Sequence, residues 1–367
     1  MLKYKPDWPA SQQRYAAFWE GELVDRCCCS LYAPADRPLD SAIAPPRPPR
    51  DVTQKWLDAG FRYENALAGF NRTHFGGDAF PQFWINLGPG VAAAYMGGEF
   101  GLAPDTVWFD AKPPITDWQT RQPIKMDWDS PMWKTTWEMT KLFCENARGY
   151  YHVGMTDLGG NLDIVVSLRG NDKLLYDLYD HPEEIKAACT EIDVAWKQAY
   201  DKLHALMGSH QQGHSAWMGL WCPGTWYPLQ CDFSAMISRP MFEEFVTPWL
   251  AQEARWFDHG VYHLDGPGEI PHLESILDIE EIHAIQCVPG DMFQSDGKAW
   301  QSFANEMWMP VMKRIQEKGR RLILLGFNPK ELDAIMENLS PKGLYLAMFL
   351  PSQSDAQDVL RRIEAWK

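Results

Sequence analysis

Tyr262-His263-Leu264-Asp265-Gly266-Pro267-Gly268 reads as the end of a β-strand breaking into a tight turn. The apolar run begins at Val261, and in extended backbone His263 and Asp265, two residues apart, leave the strand on one face. Gly266 and Gly268, either side of Pro267, supply the sharp turn. Upstream, Ser238-Arg239-Pro240 opens a helical stretch that ends near His259, with proline in its first turn. Downstream, a second apolar run spans residues 282–288.

The same alternation extends to both ends of the chain. Apolar runs at 27–32, 82–87, 150–155, 215–220, 261–264, 282–288, 322–325 and 344–350 alternate with amphipathic stretches. The amphipathic stretches include 52–70, 130–147, 163–179, 182–207, 299–318 and 355–366. This predicts an α/β protein with a parallel sheet wrapped by helices, and a tally of about eight strands predicts a (β/α)8 TIM barrel. The expected organisation is one barrel domain, residues 25–367, behind an N-terminal helical extension, residues 1–24. An open doubly wound sheet is the structural rival, but no GxGxxG follows the first run. Residues 34–49, rich in proline, and 107–127, rich in Trp, Pro and Asp, are expected as irregular segments.

Composition narrows the partners. A chain of 367 residues that is 46% hydrophobic and 13% aromatic can bury a large core. Its net charge of −15 argues against nucleic acid and against an anionic membrane surface. No 18-residue apolar stretch and no apolar leader after Met1 are found, so a cytoplasmic location is expected. The eight Cys include no CxxC pair, and Cys27-Cys28-Cys29 reads as small buried hydrophobes. Some of the 18 Trp are expected to line a ligand pocket, where indole offers a flat apolar wall and one donor.

In a barrel, chemistry sits at the C-terminal ends of the strands. That rule selects His263 and Asp265, an imidazole and a carboxylate able to ligate a metal or exchange a proton with substrate. The alternative is a strand-end His bonded to a turn-capping Asp. Cys287 ends the next run and is the natural third ligand; otherwise it is a buried small hydrophobe. Trp217, Trp221, Tyr227 and Gln230 have the composition of a small-molecule pocket wall, and Asp232 beside them is a catalytic candidate that a plug does not readily explain. Aromatic residues there could equally plug the barrel. Asn86 and Asp157 complete the expected substrate contacts. There is no P-loop, no GxSxG and no HExxH.

The segments Leu175-Tyr-Asp-Leu-Tyr-Asp-His-Pro-Glu-Glu-Ile185 and Cys231-Asp-Phe-Ser-Ala-Met-Ile-Ser-Arg-Pro-Met-Phe-Glu-Glu-Phe-Val-Thr-Pro248 resemble the uroporphyrinogen decarboxylase superfamily. There a "dl..hPeei" helix start precedes a "D..S..iSp.mFeef..P" segment, and the strand bearing His263 matches the "H.cG" strand. The resemblance spans roughly residues 25–366. The decarboxylases of that superfamily carry an Arg-rich RQAGR after the first strand, where this chain has Ala33-Pro-Ala-Asp-Arg-Pro38. Its methyltransferases carry zinc on an H-x-C strand with a later Cys near the last strand. Here the pattern is His263-x-Asp265, and the last run ends Phe349-Leu350-Pro351.

The resemblance implies methyl transfer between a small O- or N-methylated compound and a separate corrinoid protein. His263, Asp265 and Asp232 would be catalytic, and His263, Asp265 and Cys287 would hold zinc. No DxHxxG cobalamin-binding pattern occurs, so the corrinoid would arrive on its partner protein. A cofactor-free decarboxylase or lyase, or a non-catalytic binding barrel, are the alternatives. Oligomerisation is left open.

Overall fold

Seven strands form the central sheet in this computed structural model, which describes residues 2–109, 112–289 and 302–366. In chain order we label β1 Cys28–Pro34, β2 Thr73–Gly77, β3 Gln82–Trp84, β4 His152–Gly154 and β5 Trp226–Gln230. The series continues with β6 His259–Asp265, β7 Ile282–Val288, β8 Arg321–Leu325 and β9 Leu344–Phe349. The sheet order is β2-β1-β9-β8-β7-β6-β5, parallel except where β2 lies antiparallel to β1. β3 and β4 form a separate parallel pair. The inner strands are buried on both faces, as near-continuous apolar runs such as Leu344-Tyr345-Leu346-Ala347-Met348 require.

The fold is therefore mixed α/β around a parallel sheet, but among the described residues the ladder does not close on itself. β2 explains part of this: it takes the edge of β1 at which a second barrel strand would pair. The expected strand at 215–220 is also replaced. His214–Ser215 forms a short antiparallel pair with Trp221–Cys222, and the parallel strand is β5. β5 carries Pro228 and is the end strand of the sheet, the position at which proline is tolerated in a ladder.

Helices follow their local chemistry. Asp58 caps Ala59–Phe70 by accepting from Phe61 N–H at 2.9 Å, and Ser352 caps Gln353–Ala365 by accepting from Asp355 N–H at 3.1 Å. Pro182–Gly208 starts on proline with Glu183 and Glu184 at its positive end. The stretch expected as one helix over 163–179 is two, Asn161–Arg169 and Asn171–Asp180. They break at Gly170, whose φ of +94° a helix cannot hold. The helix expected over 299–318 is found as Trp308–Glu317; residues 299–301 lie outside the described residues.

Helix Trp8–Trp19 covers the N-terminal ends of the strands. Trp19 stacks on His259 at the start of β6, with centroids 4.7 Å apart, and Trp8 packs on Phe80 at 4.9 Å. Much of the tryptophan content is thus core. All three cysteines of the Cys27–Cys29 run are buried and free. Among the described residues no helix is long and apolar enough to cross a membrane.

Candidate active site

The pleat of β6 sends His263 and Asp265 to one face and Tyr262 and Leu264 to the other. Asp232 follows β5, at the first position of the short 3-10 helix Asp232–Met236. One donor atom from each of Asp232, His263 and Asp265 lies within 4.8 Å of the other two. These three converge because β5 and β6 are parallel neighbours in a register that pairs Gln230 with His263, so the residues just past β5 open beside the end of β6.

Side chains around the cluster fix it. His263 Nδ1 donates to Gln286 Oε1, and the Gln286 amide N–H donates to the carbonyl of Cys287 at 3.3 Å. The amide oxygen is thereby turned toward the imidazole, which sets the tautomer and leaves Nε2 as the free lone pair. Trp217 meets His263 edge-on, with ring centroids 5.0 Å apart and planes at 89°. Asp163 accepts the N–H groups of Asp232 (3.0 Å) and Phe233 (2.9 Å), anchoring the turn that carries Asp232. Glu269 accepts from the Asp265 N–H at 3.1 Å and from the Tyr262 hydroxyl at 3.3 Å.

The electrostatics are those of crowded acids in a confined space. Asp232 touches solvent but is walled in by protein; that confinement, then Asp163, Asp265 and Asp157, raise its pKa well above the carboxylate range. Burial lowers the His263 pKa, which Asp265 partly offsets, favouring neutral imidazole. Burial also lifts Glu269, with Asp232 as the next cause. Asp163 and Asp157 are each pushed up to about 6, by burial first.

Two cavities adjoin this region, one reaching the cluster through Trp217, which packs on His263, and the other lined by Asp232 itself. The mouth cavity, about 670 Å³, gathers the C-terminal ends of β1, β3, β8 and β9, including Tyr32, Trp84, Leu325 and Phe349, with Trp217 in its wall. Three polar atoms on its lining residues are buried with no partner among the described residues: Gln82 Oε1, Trp84 Nε1 and Trp217 Nε1. They offer one acceptor and two donors to a ligand in a space whose walls are mostly apolar, with Tyr32, Arg72 and Thr73 also on the lining. The lining of the smaller cavity, about 300 Å³, includes Asp163, Asp232 and Gln230, whose Oε1 likewise has no partner among the described residues.

Several expected site residues lie elsewhere. Cys287 pairs in register with Leu264, not with His263, so its thiol points to the opposite face of the sheet, and burial raises its pKa. Gln286 takes the place beside His263 that was expected for Cys287. Trp221 packs under the N-terminal helix, 5.6 Å from Trp8, and donates to the Gln212 carbonyl at 3.1 Å. Tyr227 is wedged between the sheet and helix Pro182–Gly208, edge-on to Trp196 at 4.9 Å, and its hydroxyl oxygen accepts from Leu158 N–H at 2.6 Å. Asn86 closes a turn by accepting from Gly88 N–H at 3.0 Å. Asp157 is buried and accepts from Gly159 N–H at 2.9 Å. Among these, Trp217, Gln230 and Asp232 line the two cavities, while Trp221, Tyr227, Asn86 and Asp157 line neither. The residues not anticipated are Gln286 and Glu269; a strand register would have exposed the first, and spacing within one sequence does not supply it.

Asp157 yields a stability prediction. Its folded pKa of about 6 exceeds the ordinary 3.8, so its contribution is fully present below about pH 4 and is lost as pH rises through 6. Asparagine keeps the acceptor and does not titrate. The Tm of Asp157→Asn minus that of the parent should therefore rise between pH 4 and pH 7, by the equivalent of at most about 3 kcal/mol. A difference independent of pH, read by thermal melts in matched buffers, would remove the buried-acid assignment.

No protein-family model and no curated protein matches this chain. Among solved structures, a methyltransferase from Methanosarcina mazei superimposes with a TM-score of 0.59 over 96% of this chain and 98% of that chain, at 14% identity. At that identity the similarity is one of fold, and it runs across nearly the whole length of both proteins.

Proposed function

We propose that this chain is a methyltransferase of the uroporphyrinogen decarboxylase superfamily that moves a methyl group from a small O- or N-methylated compound to a separate corrinoid protein. The observation that carries this reading is the convergence of Asp232, His263 and Asp265 beside an apolar cavity at the strand ends. The methyltransferase of like fold adds support. The closed (β/α)8 barrel remains part of the same proposal, and so does a location in the cytoplasm.

The donor set fits a divalent metal. One imidazole nitrogen and two carboxylate oxygens lie within 4.8 Å of one another, and Gln286 orients the imidazole as an outer partner does for a ligating His. Asp232 here takes the third place expected for Cys287. Zinc, when bound, supplies Lewis-acid polarisation of the donor's heteroatom. The chain's own groups do the rest. The mouth cavity's aromatic walls hold the apolar body and exclude water, while the Trp84 and Trp217 N–H groups bond to an acceptor on the donor molecule. As the methyl–heteroatom bond breaks, the methyl group leaves without its bonding electron pair and is taken by the cobalt(I) acceptor. The heteroatom keeps the pair and takes a proton, from Asp232 in the metal-free site, where its raised pKa keeps the acid form available, and from water where both carboxylates are engaged as ligands. That matters because an alkoxide or amide is a poor leaving group.

The test is incubation with a cobalt(I) corrinoid protein and a panel of methyl ethers and methylamines, following the corrinoid absorbance. Methylation of the corrinoid by at least one donor is expected. Inactivity with all donors, together with carbon dioxide release from a small acid, would replace the reading with the lyase. Tight ligand retention without turnover would replace it with a binding barrel.

A further inference from the structure

A second large cavity, about 790 Å³, lies outside the site above, over helices Val52–Leu57 and Ala59–Phe70. Its walls include Val52, Phe61, Phe70 and Phe83, and its charged lining residues are Lys55, Arg62 and Asp51. Asp51 is already engaged: it caps the first helix by accepting from Gln54 N–H at 2.8 Å and pairs with Arg50 at 3.3 Å. Lys55 donates to the carbonyl of Pro104 and lies over the Trp56 ring at 4.9 Å.

Arg62 is different. Its Nη1 donates to the carbonyls of Trp56 (3.1 Å) and Asn86 (2.7 Å), and its guanidinium lies 5.2 Å from the centre of the Phe83 ring. Those two bonds tie down one of its three nitrogens. Among the described residues no carboxylate pairs with it, although the chain carries 49 acidic residues against 34 basic ones. Burial alone lowers its pKa, to about 10, with no acidic neighbour to offset the loss of water. Among the described residues Nε and Nη2 have no hydrogen-bond partner, and a partly buried guanidinium on a wall of aromatic rings can receive a planar anion through two parallel N–H bonds.

We propose that this cavity binds a small organic carboxylate with a flat apolar body, the carboxylate on Arg62 and the body between Phe61, Phe70 and Phe83. This is independent of the methyl-transfer reading. The cavity shares Gly69, Phe70 and Thr73 with the mouth cavity, so a ligand here lies next to the substrate space.

The experiment compares 2-naphthoate with its neutral analogue 2-naphthylmethanol by calorimetric titration of the full chain. A charge-assisted pair predicts that the carboxylate binds about tenfold tighter or better. Arg62→Met should abolish that preference and leave the weak affinity for the alcohol within about twofold. Ala66 lines this cavity and not the mouth cavity, so Ala66→Phe should weaken both probes by filling the space; it also serves if Arg62→Met fails to fold. Equal affinity for the two probes, no binding of either, a preference that survives in Arg62→Met, or binding unchanged in Ala66→Phe would each overturn the proposal.

Discussion

If the chain carries out the proposed methyl transfer, replacing His263 with alanine is expected to lower its kcat/KM by about 10²–10⁴-fold, with little change in Tm. The imidazole is the one nitrogen donor of the cluster, held in its tautomer by Gln286 and in its plane by Trp217. Under the proposed function its removal takes away a metal ligand, but it breaks no main-chain bond. Gln286→Leu leaves the imidazole in place and frees its ring. Its effect should be smaller, about 10–100-fold, and should fall first on metal affinity. Steady-state kinetics and metal titration of both variants check the pair. A loss in Gln286→Leu equal to that in His263→Ala would mean that His263 matters only as a structural partner.

The largest stability effect is expected at Asp78, beside the start of β1. This fully buried carboxylate follows β2 and accepts from Arg26 at 2.6 and 3.1 Å, from Arg14 at 3.2 Å and from the Cys29 N–H at 3.0 Å. It thereby ties the N-terminal helix, the approach to β1 and β1 itself to one point. Asp78→Ala leaves the Arg26 guanidinium, 5% exposed, without its counter-charge. Orphaning one partner of a buried pair costs about 3–5 kcal/mol, which should lower Tm by roughly 5–10 °C. Thermal or urea unfolding reads it directly. A cost under about 1 kcal/mol would show that water or a shifted acid replaces the pair.

The fold was legible where burial on both faces makes a strand a plain apolar run, as in Ile282–Val288 and Leu344–Phe349. It was illegible where a strand sits at the sheet's end and tolerates Pro228, and where a two-residue antiparallel pairing at His214–Ser215 consumed the run expected there. The same misreading displaced Trp221 and Tyr227. Once Trp226–Gln230 is a strand, Tyr227 faces the helix layer, and an aromatic side chain alone does not say which side it will be buried on. Parity within one strand put His263 and Asp265 together. Parity between strands depends on register, and a shift of one residue exchanges Gln286 for Cys287.

That exchange decides whether the proposed metal site contains sulfur. X-ray absorption at the zinc edge, on protein loaded with one equivalent of zinc, tests directly whether Asp232, His263 and Asp265 form the site. The predicted result is a shell of nitrogen and oxygen at about 2.0–2.2 Å with no sulfur, lost in His263→Ala. A scatterer at about 2.3 Å, marking a cysteine thiolate, or a shell unchanged in His263→Ala, would contradict it.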